Sequence, residues 1–475
     1  MEFDEYRKHD GLGLAELVKR GETTAAELLD CALDAKRALD PKINSVVIDM
    51  EAQARAEVEA GLPDGPFTGV PFLIKDLHLQ IEGVETTNGC RFFEGAVSDH
   101  DSELVRRYRQ AGLVTFGRSA SPEFGSTTTT ESLAYGKTRN PWNLDHTAGG
   151  SSGGASAAVA AGIVPLANAS DGGGSIRIPA ACCGLVGLKP SRGNIPFGPD
   201  AGEGWSGMST VHAVTRSVRD SAALLDATGG SDVGAPYAAP GKARPYLDEV
   251  SRAPEGLRIG LVTDSFNGSE VHPDCKAAAE ETARLCESLG HSVEPVKIEV
   301  DRAALTGATA SIIGGNLRAT LEQRAAELGR DWTEDDVEPF TWRMAEAAAT
   351  QTAADYARGQ RAIHAAGRVV AGVLDDRFDV LLTPTMAAPP EKIGALALDN
   401  EDVGGMLGAL MRSVGFTQLI NGTGQPAISL PLHWSADGLP IGVHFIAQLG
   451  GEGLLFQVAG QLEAERPWFD RVPQL

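Results

Sequence analysis

Residues 145–177 read DHTAGGSSGGASAAVAAGIVPLANASDGGGSIR, and this stretch shows the organisation of the chain most clearly. A glycine- and serine-rich turn at 149–154 leads into an alanine-rich helix that ends near Gly162. A short apolar strand over 164–169 then leads into a second turn, 171–177, which contains three consecutive glycines. Glycine clusters are costly in conformational entropy, so both turns indicate backbone that bends sharply or lies close to another group.

Strands and helices alternate in the same way on both sides of this stretch. An apolar run of strand type at 69–76 ends in a charged pair, Lys75 and Asp76. Thr24 followed by Glu27 is a capping box at the start of a helix. Further predicted strands cover 113–117, 257–263, 292–298, 380–382 and 441–447, and further predicted helices cover 103–110, 275–289, 302–374 and 453–463. This alternation predicts an α/β fold.

The composition limits the partners of the protein. The 475 residues include 41 basic and 64 acidic side chains, and the resulting net charge of −23 disfavours a nucleic-acid partner. Hydrophobic residues (42%) and charged residues (22%) are close to globular averages, which excludes a largely disordered chain. The longest apolar stretch, 154–169, is interrupted by Pro165 and is too short to span a membrane.

The cysteines and histidines give two further expectations. The six cysteines form no CxxC pair, and the first residues, MEFDEYRKHDG, lack the hydrophobic segment of a secretory signal. We therefore expect a reduced, cytoplasmic protein. The ten histidines include no HxH or HxxxH pair, so we expect no metal site.

Three features of the sequence could carry chemistry: Lys75, the pair Ser151 and Ser152, and Ser175. Lys75 ends an apolar strand, where burial would lower its pKa and leave it able to act as a base. The turn before Ser175 supplies several backbone N–H groups with no Cβ in the way, so it can direct donors at a developing oxyanion.

The glycine- and serine-rich turns are compatible with three interpretations. The simplest is a pair of tight turns in a packed core. Phosphate binding is the second, although neither turn matches GxxxxGK[ST] or GxGxxG. The third is a nucleophile elbow, because residues 150–154 fit GxSxG around Ser152, and this reading needs a later histidine such as His433 or His444.

A longer set of motifs resembles the amidase signature family of serine hydrolases. The matching segments are GVPFLIKD within 66–78, NPWN and GGSSGG within 140–154, SDGGGSIRIPA and CGLVGLKPSRG within 170–193, and TGQPAISLPL and GLPIGVHFIA within 423–447. The branch that the chain looks most like contains hydrolases of nylon oligomers, aryl amides and urethanes.

The resemblance implies a Ser–cis-Ser–Lys triad. Ser175 is then the nucleophile, Ser151, 24 positions earlier, is the bridging serine, and Lys75 is the base. The oxyanion hole is formed by the N–H groups of Gly172, Gly173, Gly174 and Ser175. Supporting roles fall to Ser152, Asp171 and Arg177. Cys182 and Cys183 are instead expected to be unreactive core residues, because they lie in an apolar run.

The resemblance also implies the architecture and the activity. The fold is a single domain over 1–475, an α/β/α sandwich whose central mixed, mostly parallel twisted sheet is flanked by helices. Its core motifs lie in 66–193 and 379–465. The activity is hydrolysis of C–N bonds in linear amides (secondary, aryl or oligomeric amides, and carbamates) through an acyl-enzyme, without cofactor or metal, in a monomer or homodimer. The alternatives are an esterase or carbamate hydrolase of the same mechanism, a glutamine-dependent amidotransferase subunit, and a non-catalytic scaffold.

Substrate choice is expected to depend on the middle of the chain, 197–375, and on the loops 127–130 and 404–421. The middle contains several large apolar side chains, and we hypothesise that they line an acyl or aryl pocket: Trp205, Met208, Phe266, Phe340 and Trp342. Ordinary core packing explains the same residues equally well.

Overall fold

A computed structural model describes all residues of the chain, 1–475. Its strands are β1 Val46–Asp49, β2 Pro71–Lys75, β3 Val114–Ser119, β4 Glu131–Ser132, β5 Gly136–Lys137, β6 Arg139–Asn140, β7 Asn143–Thr147, β8 Leu166–Asp171, β9 Val186–Lys189, β10 Thr210–Thr215, β11 Arg258–Leu261, β12 Ser292–Pro295, β13 Val380–Pro384, β14 Ala427–Trp434 and β15 Pro440–Ala447. Its helices are α1 Phe3–Tyr6, α2 Gly11–Lys19, α3 Ala25–Ile43, α4 Glu51–Ala60, α5 Glu103–Gln110, α6 Gly153–Ala160, α7 Arg177–Cys183, α8 Val218–Thr228, α9 Tyr246–Val250, α10 Pro273–Ser288, α11 Arg302–Leu328, α12 Pro339–Ala348, α13 Ala353–Asp376, α14 Val403–Ser413, α15 Gln418–Thr423 and α16 Glu452–Glu465. The predicted α/β class is confirmed.

Eight strands form the main sheet, in the order β12-β11-β13-β15-β14-β9-β10-β8. β11 pairs in parallel with β12 and β13, whereas the other five neighbouring pairs are antiparallel. The sheet is therefore mixed, as predicted, but the prediction that it is mostly parallel is wrong. Parallel neighbours need a long crossover connection, which α10 supplies between β11 and β12, and α10 to α13 supply between β11 and β13. β14 and β15 are joined by the short turn 435–439, which makes them antiparallel.

The central strands of this sheet are covered on both faces. β9, β13 and β15 contain no exposed residue and consist largely of apolar side chains. Helices α10 and α16 pack against β15, α8 packs against β10, and α6 packs against β8. Continuous apolar strands of this kind are stable only where helices remove both faces from water.

A smaller sheet, β1-β3-β2, lies beside the edge strand β8 of the main sheet. The backbone N–H of Lys75, at the end of β2, donates to Asn168 Oδ1 on β8 at 3.1 Å. This contact places the carboxyl end of β2 next to the carboxyl end of β8. The segments around Lys75 and Asp171, about a hundred residues apart in the chain, therefore meet at one place.

Helix α6 completes this junction because it is built almost entirely from glycine, alanine and serine. All eight of its residues are buried. A Cβ atom added at Gly154 would lie within 3.0 Å of the backbone of Ala120, so the helix approaches its neighbours too closely for a larger residue. The close approach brings the start of α6, and with it the serine pair at 151–152, against the end of β2.

The predicted helical stretch 302–374 is present as three helices, α11, α12 and α13. Both α12 and α13 pack against α11. We call α11, α12 and α13 together the helical wall. None of the helices in the chain is both long enough and apolar enough to cross a bilayer.

Candidate active site

Lys75 is fully buried and is surrounded by hydroxyl groups. Its Nζ lies 2.7 Å from Ser151 Oγ, 3.0 Å from Ser152 Oγ and 3.0 Å from Ser170 Oγ. No acidic side chain forms an ion pair with it, so three hydroxyls are its hydrogen-bond partners. Burial lowers the pKa of Lys75 to about 7, and the more distant charge of Asp171 raises it only in part. A large share of the amine is therefore neutral near pH 7 and able to accept a proton.

The neighbouring hydrogen bonds decide where the lone pair of the neutral amine points. Ser152 Oγ donates to the carbonyl oxygen of Ser170 at 3.2 Å, so it accepts a hydrogen bond from Lys75. When Ser170 Oγ accepts the second N–H, the lone pair faces Ser151 Oγ. Ser151 Oγ–H then donates a hydrogen bond to Lys75 Nζ. Ser151 therefore carries the hydroxyl that the lysine can deprotonate.

The loop that carries Ser151 is held by close backbone packing. The peptide bond between Gly150 and Ser151 is cis. Thr130 Oγ1 accepts a hydrogen bond from the N–H of Gly153 at 3.0 Å, just beyond the serine pair. A Cβ atom at Gly150 would lie within 3.0 Å of the backbone of Thr129. Only glycine fits that position, which explains the glycines that flank the two serines.

The turn that carries Ser175 is wrapped around the carboxylate of Asp171. Asp171 Oδ1 accepts the N–H of Gly174 at 2.7 Å, and its Oδ2 accepts the N–H of Ile176 at 3.1 Å. Gly174 has a φ of 135°, which glycine adopts far more easily than other residues. The turn is thereby fixed in one shape, with Ser175, which is 8% exposed, lining a cavity.

The same turn offers unoccupied donors. The backbone N–H groups of Gly172, Gly173 and Ser175 have no acceptor within the protein, so they are available to bind a substrate oxygen. The prediction that Gly174 also donates disagrees with the structure. Its N–H is already bound by the carboxylate of Asp171.

A buried ion pair supports the turn from below. Arg177 Nε lies 2.9 Å from Asp171 Oδ2, and Arg177 Nη2 lies 3.0 Å from Asp171 Oδ1. Burial alone would raise the pKa of Asp171, but the guanidinium outweighs it and holds that pKa well below its ordinary range. The carboxylate is therefore ionised, as it must be to accept the N–H groups of the turn.

Two residues from the C-terminal part of the chain hold this ion pair. Asn421 Oδ1 accepts from Arg177 Nη2 at 2.5 Å, and Asn421 Nδ2 donates to Asp171 Oδ1 at 2.8 Å. His444 Nε2 lies 3.1 Å from Arg177 Nη1, and its Nδ1 lies 3.1 Å from Thr383 Oγ1. Burial lowers the pKa of His444 well below its usual value, so the ring is neutral and Nε2 accepts from Arg177.

A cavity of about 290 Å³ opens beside Ser175, and no charged side chain lines it. Its apolar wall comes mainly from α11, α12 and α14: Trp205, Ala310, Ile313, Phe340, Met344, Ala347, Leu410, Met411 and Val414. Its other polar side chains are Ser126, Thr127, Thr128, Thr306, Thr309, Gln351 and Gln418. The middle of the chain and the two predicted loops thus contribute to this wall.

The large apolar residues singled out in the sequence have three different positions. Trp205 and Phe340 line the cavity beside Ser175, as the pocket hypothesis requires. Met208 and Phe266 line a smaller adjoining cavity. Trp342 instead packs against Trp332, with ring centroids 4.9 Å apart.

The comparisons with known proteins identify the family of the chain. The profile of the family described as Amidase matches residues 27–456. The chain belongs to the amidase signature family. It is 41% identical, over 98% of its length and 96% of the relative, to a 6-aminohexanoate-cyclic-dimer hydrolase of Pseudomonas sp..

Solved structures in the amidase signature family have the same fold as this chain. A 6-aminohexanoate cyclic dimer hydrolase complexed with substrate is 39% identical and superimposes with a TM-score of 0.94 over 98% of both chains. A bacterial aryl acylamidase is 29% identical, with a TM-score of 0.88 over 97% of this chain and 96% of the other. The protein is thus an enzyme of the amidase type, a hydrolase that acts on C–N bonds of amides.

Lys75 lies beside Ser151, and Asp171 lies beside Arg177, as the family motifs indicated, whereas the residues of the nucleophile elbow are not brought together. Ser152 Oγ contacts Lys75 and no histidine. His444 contacts Arg177, and His433 contacts Thr282 on α10. Both histidines are bound elsewhere in the fold, so the elbow interpretation lacks its base.

Sequence reasoning missed three residues of this amidase site: Ser170, Asn421 and His444 in its supporting role. Ser170 precedes Asp171 on β8, and only the adjacency of β2 and β8 shows that its hydroxyl reaches Lys75. Asn421 and His444 are separated from Arg177 by more than two hundred residues, so no local pattern links them. Cys182 and Cys183 are fully buried, and burial raises the pKa of both thiols.

Proposed function

We propose that this protein is a serine amidase in which Ser175 attacks the amide, Ser151 relays the proton and Lys75 accepts it. One observation carries the proposal: a fully buried lysine with a pKa near 7 is hydrogen-bonded only to hydroxyls, one of which lies in the cis-serine loop beside the cavity. Lys75 forms no ion pair that would explain a buried lysine as a structural residue. Its lone pair, when the amine is neutral, is directed at Ser151.

Acylation proceeds through two proton transfers. Lys75 Nζ takes the proton of Ser151 Oγ, Ser151 takes the proton of Ser175 Oγ, and Ser175 Oγ bonds to the carbonyl carbon. The carbonyl oxygen becomes an oxyanion, which the N–H groups of Gly172, Gly173 and Ser175 stabilise. When the C–N bond breaks, the proton returns from Lys75 through Ser151 to the leaving nitrogen.

Deacylation repeats the steps with water. A water molecule gives a proton through Ser151 to Lys75 while its oxygen bonds to the acyl carbon. The bond between that carbon and Ser175 Oγ then breaks, and Ser175 recovers the proton. The products are a carboxylic acid and a free enzyme with Lys75 neutral again.

The residues that line the cavity favour uncharged substrates with an apolar body. A charged group placed against this wall would lose its hydration without gaining a counter-ion, which is costly. The relatives named for 6-aminohexanoate cyclic dimer and for aryl acylamides act on secondary amides, and we extend that class to this chain. Carbamates and esters fit the same acyl-enzyme route, so they belong to the proposal as further substrates.

Three further features of the proposal concern the protein as a whole. We propose that it acts as one domain, because one cluster of buried apolar residues extends from Tyr6 to Trp468. We propose that a single chain, as monomer or homodimer, is sufficient for activity, since every residue of the site comes from it. We place it in the cytoplasm, where all six free cysteines would stay reduced.

The test is hydrolysis of a small panel by the wild type and by Ser175→Ala, with Ser152→Ala as the matched control. The panel contains a primary aliphatic amide, glutamine, an anilide, a p-nitrophenyl ester and an aryl carbamate. We expect cleavage of the anilide, its loss in Ser175→Ala, and residual cleavage in Ser152→Ala. Activity that survives in Ser175→Ala but not in Ser152→Ala would contradict the assignment. Preference for glutamine would favour an amidotransferase subunit instead, and no cleavage at all would favour the scaffold.

A further inference from the structure

The turn over residues 204–209 carries Trp205 into the cavity in a costly backbone conformation. The N–H of Ser209 donates to the carbonyl oxygen of Gly204 at 3.0 Å, so the segment folds back on itself. Trp205 has a φ of 51° and Ser206 has a φ of 54°. They are the only two consecutive non-glycine residues of the chain in the left-handed region, which costs L-amino acids free energy. Such a conformation persists only where neighbouring groups hold it.

The indole of Trp205 packs directly against the turn that holds Ser175. A Cβ atom added at Gly172 would lie 2.6 Å from two carbons of the indole, so only glycine leaves room for the ring. The N–H of Gly172 is one of the unoccupied donors, and the indole lines the same cavity as Ser175. A carbonyl group bound by these donors therefore lies beside the indole, and Trp205 is a wall residue next to the reacting group.

The tip of the 204–209 turn is held by a side chain rather than by its backbone. Neither the N–H nor the carbonyl oxygen of Ser206 forms a hydrogen bond within the protein. Its Oγ instead lies 2.5 Å from the hydroxyl oxygen of Tyr356 on α13, and Gln360 on the same helix donates to this Oγ at 3.3 Å. The hydroxyl of Tyr356 also accepts from Asn316 Nδ2 on α11 at 3.1 Å. The left-handed turn is thus tied to two helices of the helical wall.

Tyr356 itself stays outside the space that a substrate can occupy. It lines neither the cavity beside Ser175 nor the smaller adjoining cavity. The turn that holds Ser175 is fixed independently, by Asp171 and its ion pair with Arg177. Loss of the tyrosine hydroxyl therefore loosens Trp205 without moving the N–H donors. The contact acts on the binding surface and not on the reacting groups.

We propose that Tyr356 is a positioning residue for substrate binding: through Ser206 it holds Trp205 against Gly172, as a surface that the reacting end of the substrate contacts. This inference rests on the proposed function, because it places the reacting carbonyl at the N–H groups of the turn that holds Ser175. Binding at Trp205 then depends on a hydroxyl group of α13 that the substrate never touches. The helical wall thereby influences binding at the reacting bond itself, and not only along its own apolar surface.

Steady-state hydrolysis of the anilide tests the inference in a double-mutant cycle. Tyr356→Phe removes only the hydroxyl and should raise KM roughly tenfold, with kcat within about twofold of the wild type. Trp205→Ala should raise KM at least as much. In the Trp205→Ala background, Tyr356→Phe should have no further effect, because the tyrosine acts through the indole. Tyr246→Phe is the matched control: it removes a hydroxyl that accepts from Asn194 outside the cavity, and it should leave KM unchanged.

Two variants at Ser206 separate the hydrogen bond from the backbone conformation. Both Ser206→Ala and Ser206→Gly remove the hydroxyl, but glycine adopts the left-handed conformation without a steric cost. Ser206→Ala should therefore raise KM about as much as Tyr356→Phe, whereas Ser206→Gly should raise it less. A general loss of packing predicts the opposite order, because glycine removes more of the side chain.

The outcomes separate this inference from the proposed function. If Tyr356→Phe leaves KM unchanged, if it lowers kcat alone, or if its effect on KM persists in the Trp205→Ala background, Tyr356 does not act through Trp205 and the inference is wrong. Loss of anilide cleavage in Ser175→Ala still supports the proposed function in that case. If the wild type does not cleave the anilide, or if Ser175→Ala cleaves it normally, the proposed function is wrong and the inference with it.

Discussion

The two sides of the cavity are built in opposite ways. On one side, at the serine loop and the start of α6, a Cβ atom added at Gly150 or Gly154 would lie within 3.0 Å of backbone atoms. On the other side, in the helical wall, a Cβ atom added at Gly314 or Gly359 would come no closer than 3.2 Å to another atom, and one added at Gly307 or Gly372 would meet none within 4 Å. The first side positions reacting groups through backbone contacts, and the second supplies a surface.

This contrast shows which part of the enzyme is free to change. A shift of about 1 Å around Lys75 would break hydrogen bonds that the proposed proton transfer needs. The helical wall can exchange one apolar side chain for another, since volume-conserving swaps are usually tolerated. We therefore expect mutations in the first side to affect the rate of chemistry, and mutations in the second to affect which substrate is chosen.

The largest effect is expected at Lys75. Lys75→Met removes the proposed base while keeping an unbranched side chain, and it should lower kcat about 10³-fold or more. Because the neutral lysine is the active form and its pKa is about 7, kcat/KM of the wild type should rise as the pH increases through 7. Lys189, also buried with a pKa lowered to about 7, donates to a backbone carbonyl, so Lys189→Met should keep this pH profile. An unchanged rate in Lys75→Met would remove the lysine from the mechanism.

The next effect concerns the packing of the first side. Gly154→Ala places a methyl group against the backbone of Ala120, which cannot move independently, and should destabilise the protein by about 3 kcal/mol. The measurement is the free energy of unfolding in urea. A change of less than about 0.5 kcal/mol would show that helix α6 has more room than the contrast requires.

A smaller effect is expected where the two sides meet. The N–H of Glu338, just before α12, donates to Glu123 Oε2 at 2.8 Å. Burial, and then the charge of Glu123, raise the pKa of Glu338 to about 8, so the folded state holds a proton that the unfolded chain releases above its pKa of 4.5. The contribution of Glu338 to the free energy of unfolding is therefore complete below pH 4.5 and is lost as the pH rises toward 8.

The variant Glu338→Gln isolates that contribution. Between pH 5 and pH 8 the wild type should lose on the order of 2 kcal/mol of unfolding free energy relative to the variant. Exposed Glu334→Gln serves as the control and should follow the wild type at every pH. If the wild type and Glu338→Gln differ by the same amount at both pH values, the pair does not titrate as described.

The smallest effect is expected in the helical wall itself. Gly372 lies within α13 and has open space around an added Cβ atom. Gly372→Ala should stabilise the protein by about 0.5–1 kcal/mol, because alanine loses less conformational freedom in a helix. Urea unfolding measures the gain, and a loss of stability would mean that the wall is packed as tightly as the first side.

Local patterns were sufficient to predict the elements but not their arrangement. The capping box at Thr24 and Glu27 is present, and α5 has the predicted bounds. These features depend on residues within one or two turns of each other. The direction of strands β13, β14 and β15 depends instead on which distant strands become neighbours, so the sheet was wrongly expected to be mostly parallel.

The candidate site was predictable where the family motifs supply its residues. Lys75, Ser151 and Ser175 come from three separate motifs, and the fold places Lys75 beside Ser151 and puts Ser175 on the cavity. The hydrogen bond from the Gly174 N–H to Asp171 depends on the shape of the turn. Three consecutive glycines are compatible with many backbone conformations, so the sequence does not specify that shape. Gln351 lines the cavity and contacts Ser311 on α11, 40 positions away, which no local pattern indicates.

The ion pair under the nucleophile turn has a consequence for how the enzyme matures. Arg177 is bound by Asn421 and His444, which follow it by 244 and 267 positions. Contacts of such long range form late in folding, and a chain emerging from the ribosome cannot make them until both residues have been synthesised. A nascent chain that already contains Lys75, Ser151 and Ser175 therefore still lacks the supports of the turn that holds Ser175. We expect the proposed reactivity of Ser175 to appear only once β15, the last strand, has joined the sheet.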